Sequence, residues 1–244
     1  MKNIKKLSFL ILSLSTLFSC SYETEIGSKI TIYPLITLLG DETVFVTKGT
    51  AFVDSEAIAV EGENEIPYVK TVVGDYRNGT SIDTNIIDAY NLNYTATNVD
   101  GFNISGVRKV WVYNNGNFIN SIEGIYTSSV RRGGVLTAQY TDMEYVLIWK
   151  NDDGTYEISD GLGGYYNIGR NFGIGYAARR AIITANSISG NDFSVGDFSV
   201  GAFGGNAVVS GFTIDPATKK ISYTSKWDGS SNGIFEVTLT QVQP

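Results

Sequence analysis

From residue 30 onward the chain alternates apolar and polar positions in short runs, interrupted by turn residues roughly every eight to twelve positions, the period-two signature of half-buried strands. Tyr90, Leu92, Tyr94 and Ala96 alternate with Asn91, Asn93 and Thr95, which predicts a strand with those four side chains inward. After an Asp100-Gly101 turn, Arg108, Val110 and Val112 alternate with Lys109, Trp111 and Tyr113. Runs at Ile30–Tyr33, Leu35–Leu39 and Thr43–Val46 complete a first set of strands. Asn114-Asn115-Gly116-Asn117 is a polar cluster that reads as a boundary or a short hinge. Beyond it, strands are predicted over Gly124–Val130, Val135–Tyr140, Tyr145–Lys150, Thr155–Ser159, Ala207–Ile214, Ile221–Trp227 and Ile234–Val242. In the last run Phe235, Val237 and Leu239 face a core, while Glu236, Thr238 and Thr240 face water. The fold class is all-β: a sandwich over residues 30–113, then an antiparallel β-sandwich or barrel-like domain over residues 114–244.

The first 29 residues follow a different pattern. Lys2, Lys5 and Lys6 precede an uncharged, mostly apolar run from Leu7 to Phe18, which reads as a secretory signal peptide over residues 1–19. As a helix this run would be about 18 Å long, short of the roughly 30 Å hydrocarbon core of a bilayer, so it is a leader and not a span. It ends in Leu17-Phe18-Ser19-Cys20, where the chain has its single cysteine. This sequence resembles the bacterial lipobox, which implies that Cys20 becomes the lipidated first residue of the mature chain. Phe18 stands where a lipobox has a small residue, so cleavage after Ser19 without lipidation is the competing reading. Residues 20–29 form a tether carrying Glu23 and Glu25. Acidic residues directly behind the cysteine resemble the surface-export signals of Bacteroidetes lipoproteins.

Composition narrows the chemistry. The chain has no histidine, which removes the commonest general base and all imidazole metal ligands, and one cysteine allows neither an intrachain disulfide nor a thiolate cluster. Loss of the three leader lysines takes the formal charge from −7 to about −10, which argues against a nucleic-acid partner. Two or three acyl chains on Cys20 would anchor the protein to a membrane without a basic patch. Residues 20–113 are the more acidic part, and the nearly neutral remainder suits a module whose ligand is uncharged.

Several motifs carry a family resemblance. Pro34 with Leu35–Leu39, Gly49 with Phe52, Asp54 and Ala57, the strand bearing Tyr90, Tyr94 and Ala96, and Arg108 with Val110 and Val112 together resemble the bacterial surface immunoglobulin-like domain. Asn98 stands where that family has Asp, and Gly101-Phe102-Asn103 replaces its Gly-Asn turn. The second half, with Gly124-Ile125-Tyr126, the segment Asp153–Asp160 and Phe235-x-Val237-x-Leu239, resembles the C-terminal domain of two-domain Bacteroidetes outer-membrane lipoproteins of unknown function. The resemblance implies an accessory lipoprotein of an outer-membrane glycan uptake system, on the cell surface or the periplasmic face. It implies sugar binding more than bond breaking, with outer-membrane uptake proteins as partners and no cofactor.

The most unusual stretch interleaves glycine and aromatics: Asp160–Tyr166, Gly169–Tyr176, and the tandem repeat Asp192–Gly196 and Asp197–Gly201. Gly163-Gly164 is not a phosphate cradle, because neither a Lys-Ser/Thr ending nor a helix start follows. Either the glycines permit bends while the rings fill a core, or the rings line a ligand face. On the second reading Tyr165, Tyr166, Phe172, Tyr176 and Trp227 are the candidate glycan platform. Asp160, Asp192 and Asp197 are the carboxylates a glycosidase would recruit, and solvated turn acids are the plainer reading. Asn151-Asp152-Asp153 lacks the alternating acids of a calcium loop, and Arg131-Arg132 and Arg179-Arg180 read as solvated pairs. No catalytic or metal-binding residue is assigned. The expected function is an envelope-anchored, non-enzymatic glycan-binding lipoprotein. The alternative is a structural or adhesion protein whose partner is another envelope protein.

Overall fold

The structure, a computed structural model, describes residues 30–231 and 233–244. Cys20, the leader and the tether up to residue 29 lie outside the described residues.

Seven strands form the first domain: β1 (Pro34–Leu38), β2 (Thr43–Thr47), β3 (Ala57–Glu61), β4 (Asn64–Glu65), β5 (Tyr68–Gly74), β6 (Asp88–Thr97) and β7 (Asn103–Tyr113). They make two sheets, β1-β3-β4 and β2-β7-β6-β5. Pairing is antiparallel except for β2 with β7, which run parallel. The sheets close through Ile36, Leu38 and Ala57 packed against Leu92 and Tyr94. As the alternation predicts, Tyr90, Leu92, Tyr94 and Ala96 are buried, and so are Val110 and Val112. The run Ile30–Tyr33 is not a strand; pairing begins at Pro34, whose missing N–H is tolerated at a strand's first residue. In the β6–β7 turn the Asn98 Oδ1 accepts from the N–H groups of Asp100 and Phe102 at 3.2 and 2.7 Å, the Asx-type bonding that an Asp would also make.

The second domain is one sheet of nine strands: β8 (Gly124–Arg132), β9 (Met143–Lys150), β10 (Tyr156–Ile158), β11 (Ala181–Ser187), β12 (Asp192–Val195), β13 (Phe198–Val200), β14 (Gly204–Asp215), β15 (Lys220–Trp227) and β16 (Ile234–Gln241). The order is β12-β11-β10-β9-β8-β16-β15-β14-β13. Every pair but one joins consecutive strands; the exception, β8 with β16, joins the ends of the domain in register from Phe235 opposite Arg132 to Gln241 opposite Tyr126. The two edges, β12 and β13, are therefore sequence neighbours separated only by Gly196 and Asp197. The sheet curls until these edges approach, and the rings of Phe193 on β12 and Phe212 on β14 meet across the seam at 5.0 Å. The tandem repeat thus places one copy on each edge of a nearly closed barrel.

The strand expected over Val135–Tyr140 is absent. Gly133 and Gly134 both hold positive φ, which turns the chain so that Val135 makes only an isolated bridge to Arg132, and Ala138–Tyr140 forms a 3-10 turn. Hydrogen bonds tie the junction cluster Asn114–Asn117 to the second domain. Asn115 donates to the Val242 carbonyl at 2.7 Å and accepts from the Ile125 N–H, Asn114 donates to Glu123, and the Gly116 N–H donates to the Glu123 carbonyl at 2.8 Å. Tyr76, Ile87, Ala89 and Trp111 of the first domain share one core with Ile125, Leu147 and Trp149 of the second. Arg179 crosses the same boundary, donating to the carbonyls of Asp75 and Tyr76.

Candidate functional site

The glycine and aromatic stretch between β10 and β11 folds over one end of the barrel. Gly163 (φ +65°) and Gly164 (φ +79°) start it in the left-handed region, and a Cβ on Gly163 would meet Val237 at 2.6 Å and Ser128 at 2.8 Å. Glycine is needed at both positions to turn the chain, and at Gly163 also to press the loop onto the inward faces of β16 and β8. A single π-type turn, Tyr165–Gly169, and a 3-10 turn, Ile174–Tyr176, follow.

All five candidate platform residues belong to one continuous cluster of rings. Tyr165, Tyr166 and Trp227 lie inside it and are buried, whereas Phe172 is 46% exposed and Tyr176 half-buried. Tyr165 stacks on Tyr140 at 4.1 Å, and Tyr166 meets Trp227 at 5.8 Å and Phe235 at 6.1 Å. The two readings of the sequence thus apply to different rings of one unit, some filling the core and others reaching its surface. Phe203, which the sequence reasoning missed, is 45% exposed and touches Tyr166, Tyr176, Phe172 and Trp227 at 4.9 to 6.2 Å. Its signal was present: it sits in Gly201-Ala202-Phe203-Gly204-Gly205, the same interleaving of ring and glycine. The outcome is a surface of three adjoining rings, Phe172, Tyr176 and Phe203, mounted on a rigid buried stack.

Two arginines flank this surface. Arg132 lies over Tyr165, Tyr166 and Phe235 at 5.2 to 5.8 Å and donates to Ser230, and Arg170 lies over Tyr165 at 5.8 Å. Arg132 is therefore not a simply solvated residue, and neither is Arg179 at the domain boundary. Burial pushes the Tyr165 phenol up, but hydrogen bonds from Tyr140, Arg170 and Arg132 outweigh it and hold Tyr165 below the ordinary tyrosine value.

The carboxylates do not converge. Asp160 is buried, with Oδ1 accepting from the Leu162 N–H at 2.9 Å and Oδ2 without a hydrogen-bond partner among the described residues. Burial pushes it up to about 6 against the pull of the backbone N–H groups of Gly164, Leu162 and Ala178. Asp192 and Asp197 are exposed and accept from Asn186 and Asn206, each at 3.1 Å. The segment Asn151–Gly154 is a hairpin turn in which Asp153 accepts from the N–H and hydroxyl of Thr155. Among the described residues no group of carboxylates or thiols could hold a metal ion, and no helix is long and apolar enough to cross a membrane.

A family model described as a C-terminal domain matches residues 115–241, over half of the chain. The chain belongs to that family. Residues 36–112 match the model of the bacterial surface protein Ig-like domain. Among solved structures, the lipoprotein BT2262 from Bacteroides thetaiotaomicron is similar over 86% of this chain and 100% of its own, with 25% identity and a TM-score of 0.62. No curated protein matches the sequence. The two-domain resemblance read from the sequence holds: an Ig-like domain over residues 36–112 precedes the C-terminal family domain over residues 115–241.

Proposed function

We propose that the protein is a non-catalytic, envelope-anchored glycan-binding lipoprotein: Cys20 carries the lipid, the Ig-like domain spaces, and the ring surface at the end of the barrel receives the sugar. The observation that carries this reading is the contiguous exposure of Phe172, Tyr176 and Phe203 above the buried Tyr166 and Trp227. Exposed apolar surface of this kind, gathered in one place and fixed from below, marks a recognition site. Flat rings present faces on which the C–H side of a pyranose stacks, and a platform held by core packing loses little side-chain entropy on binding. The outer membrane is the proposed anchor, and outer-membrane glycan uptake proteins are the proposed neighbours.

Affinity electrophoresis against a panel of polysaccharides tests the reading. The protein should be retarded by at least one of them, and the Phe172→Ala/Phe203→Ala double variant should run unretarded while keeping the same unfolding temperature. Free migration of the parent protein through every gel would overturn glycan binding. Capture of an envelope protein through the same two phenylalanines, with no retardation, would put the adhesion role in its place.

A further inference from the structure

We infer that the cleft between the two domains is a second binding site, separate from the ring surface, that takes a small neutral polyhydroxylated ligand, a mono- or disaccharide. The cleft has a volume of about 390 Å³ and is walled by Asp75 and Tyr76 after β5 together with β6 and β7 on one side, and by β9 and residues 167–174 on the other. That volume lies at the small end of the roughly 300–1,000 Å³ usual for small-molecule sites.

Its chemistry selects among ligands. On the first-domain wall Asp75, Asn91 and Lys109 form a preorganised row. The Asn91 amide donates to Asp75 at 2.6 Å, and the Lys109 ammonium donates to Asn91 at 3.0 Å and to Asp75. Asn167 and Asn171 line the opposite wall. The apolar part is Trp111 against Tyr145, edge to face at 5.3 Å, with Ile168 and Ile174 beside them. Among the described residues that line the cleft the one cation is Lys109, already paired with Asp75, and Glu144 adds a further negative charge, so a phosphate or carboxylate ligand finds no surplus positive charge. An aliphatic ligand would strip water from the amides and carboxylates and return nothing. A neutral sugar fits both halves: each hydroxyl donates and accepts, as amides and carboxylates require, and its C–H face packs on the aromatic edge. The walls are fixed beforehand by the core the two domains share and by Arg179, which limits the ordering cost of binding.

The inference does not rest on the ring surface, and one experiment separates them. Saturation-transfer NMR is run on the whole chain with glucose, galactose, mannose and xylose, and with maltose, lactose and cellobiose, as probes. At least one probe should receive transfer from the parent protein. The signal should fall at least tenfold in Asn171→Gly, which removes the amide while tolerating the φ of +54° at that position. It should fall likewise in Lys109→Met, which keeps the stem over Trp111, and should persist in Phe172→Ala/Phe203→Ala. Transfer to no probe, or transfer insensitive to both cleft variants at unchanged unfolding temperature, overturns the site. Polysaccharide retardation surviving either result leaves the ring surface standing on its own.

Discussion

In the Ig-like domain the largest fully buried side chain is Arg108, whereas the barrel buries a stack of rings with the Asp160 carboxyl among its buried groups. These two sites differ in how a buried charge is treated, and the difference is local, because burial also raises Asp88, a buried carboxyl of the Ig-like domain that accepts from the N–H groups of Tyr76, Arg77 and Ala89. Every side of the Arg108 guanidinium is answered: Nε donates to the Asp41 carbonyl at 2.9 Å, Nη1 to the Tyr94 hydroxyl at 2.6 Å and to Asp54, and Nη2 to the Leu39 and Glu56 carbonyls. Burial pushes Asp54 up, yet the hydrogen bonds from Tyr94 and Lys70 prevail and hold it below the usual carboxylate range. Burial raises Asp160 to about 6, because the backbone N–H groups that pull it down do not outweigh the loss of water. A charge that ties the β1–β2 and β2–β3 loops to β6 is retained as a charge; the Asp160 carboxyl inside a well-filled barrel is driven toward its neutral form.

The sharpest way to break this comparison is Arg108→Ala. It takes the buried cation from Asp54, which keeps Tyr94 and Lys70, and the side-chain donor from the carbonyls of Leu39 and Asp41, and loss of about 3–5 kcal/mol is expected, enough to unfold the first domain at modest urea. Urea titration followed by near-UV circular dichroism measures it. A loss below about 1 kcal/mol would mean that the buried pair organises nothing.

The position of Arg108 was legible in the sequence because it falls on the inward phase of an alternation with Val110 and Val112. The same phase argument placed Tyr90 to Ala96 and Phe235 to Leu239. It failed where glycine sets the path. Between Gly133 and Gly205 the chain turns at positions with positive φ, so neither Val135–Tyr140 nor the short strands β11 to β13 could be phased from side-chain pattern alone. The ring surface was half legible: the residue types were visible, but which rings point inward depends on loop packing that no periodicity records. Phe203 reaches the surface from a turn on the far side of the seam, a pairing that only the curl of the sheet creates.

The second prediction sets the two carboxyls against each other in pH. Asp160 has a native value near 6 against an ordinary 3.8, so the folded state holds its proton more tightly than the unfolded chain. Stability is then unaffected below about pH 4, falls as pH rises to about 6, and stays lower above, by on the order of 3 kcal/mol. Asp160→Asn should remove that fall, unfolding at higher temperature than the parent at pH 7.5 and losing the advantage near pH 4. Asp54 runs the other way: its native value is depressed, so its contribution is present above the ordinary value and is lost as the solution is acidified through the native one. Differential scanning calorimetry from about pH 2 to 8 on the parent, Asp160→Asn and Asp54→Asn resolves the two slopes, that of Asp54 below the ordinary carboxylate value and that of Asp160 above it; parallel slopes would dissolve the contrast.

The smallest expected effect concerns what keeps such different domains acting as one body. Arg179→Met retains the aliphatic stem beside Tyr76 but removes the donors to the Asp75 and Tyr76 carbonyls, for a cost of about 1–2 kcal/mol. Because Trp111 and Trp149 sit together in the shared core, separation of the domains changes tryptophan fluorescence, whereas strand content changes only when a domain unfolds. In the parent the two signals should move together through a urea titration. In Arg179→Met the fluorescence midpoint should fall below the circular dichroism midpoint, since the junction then opens before either sheet melts. Coincident curves in the variant would assign the coupling to the apolar core alone, with the arginine adding nothing to it.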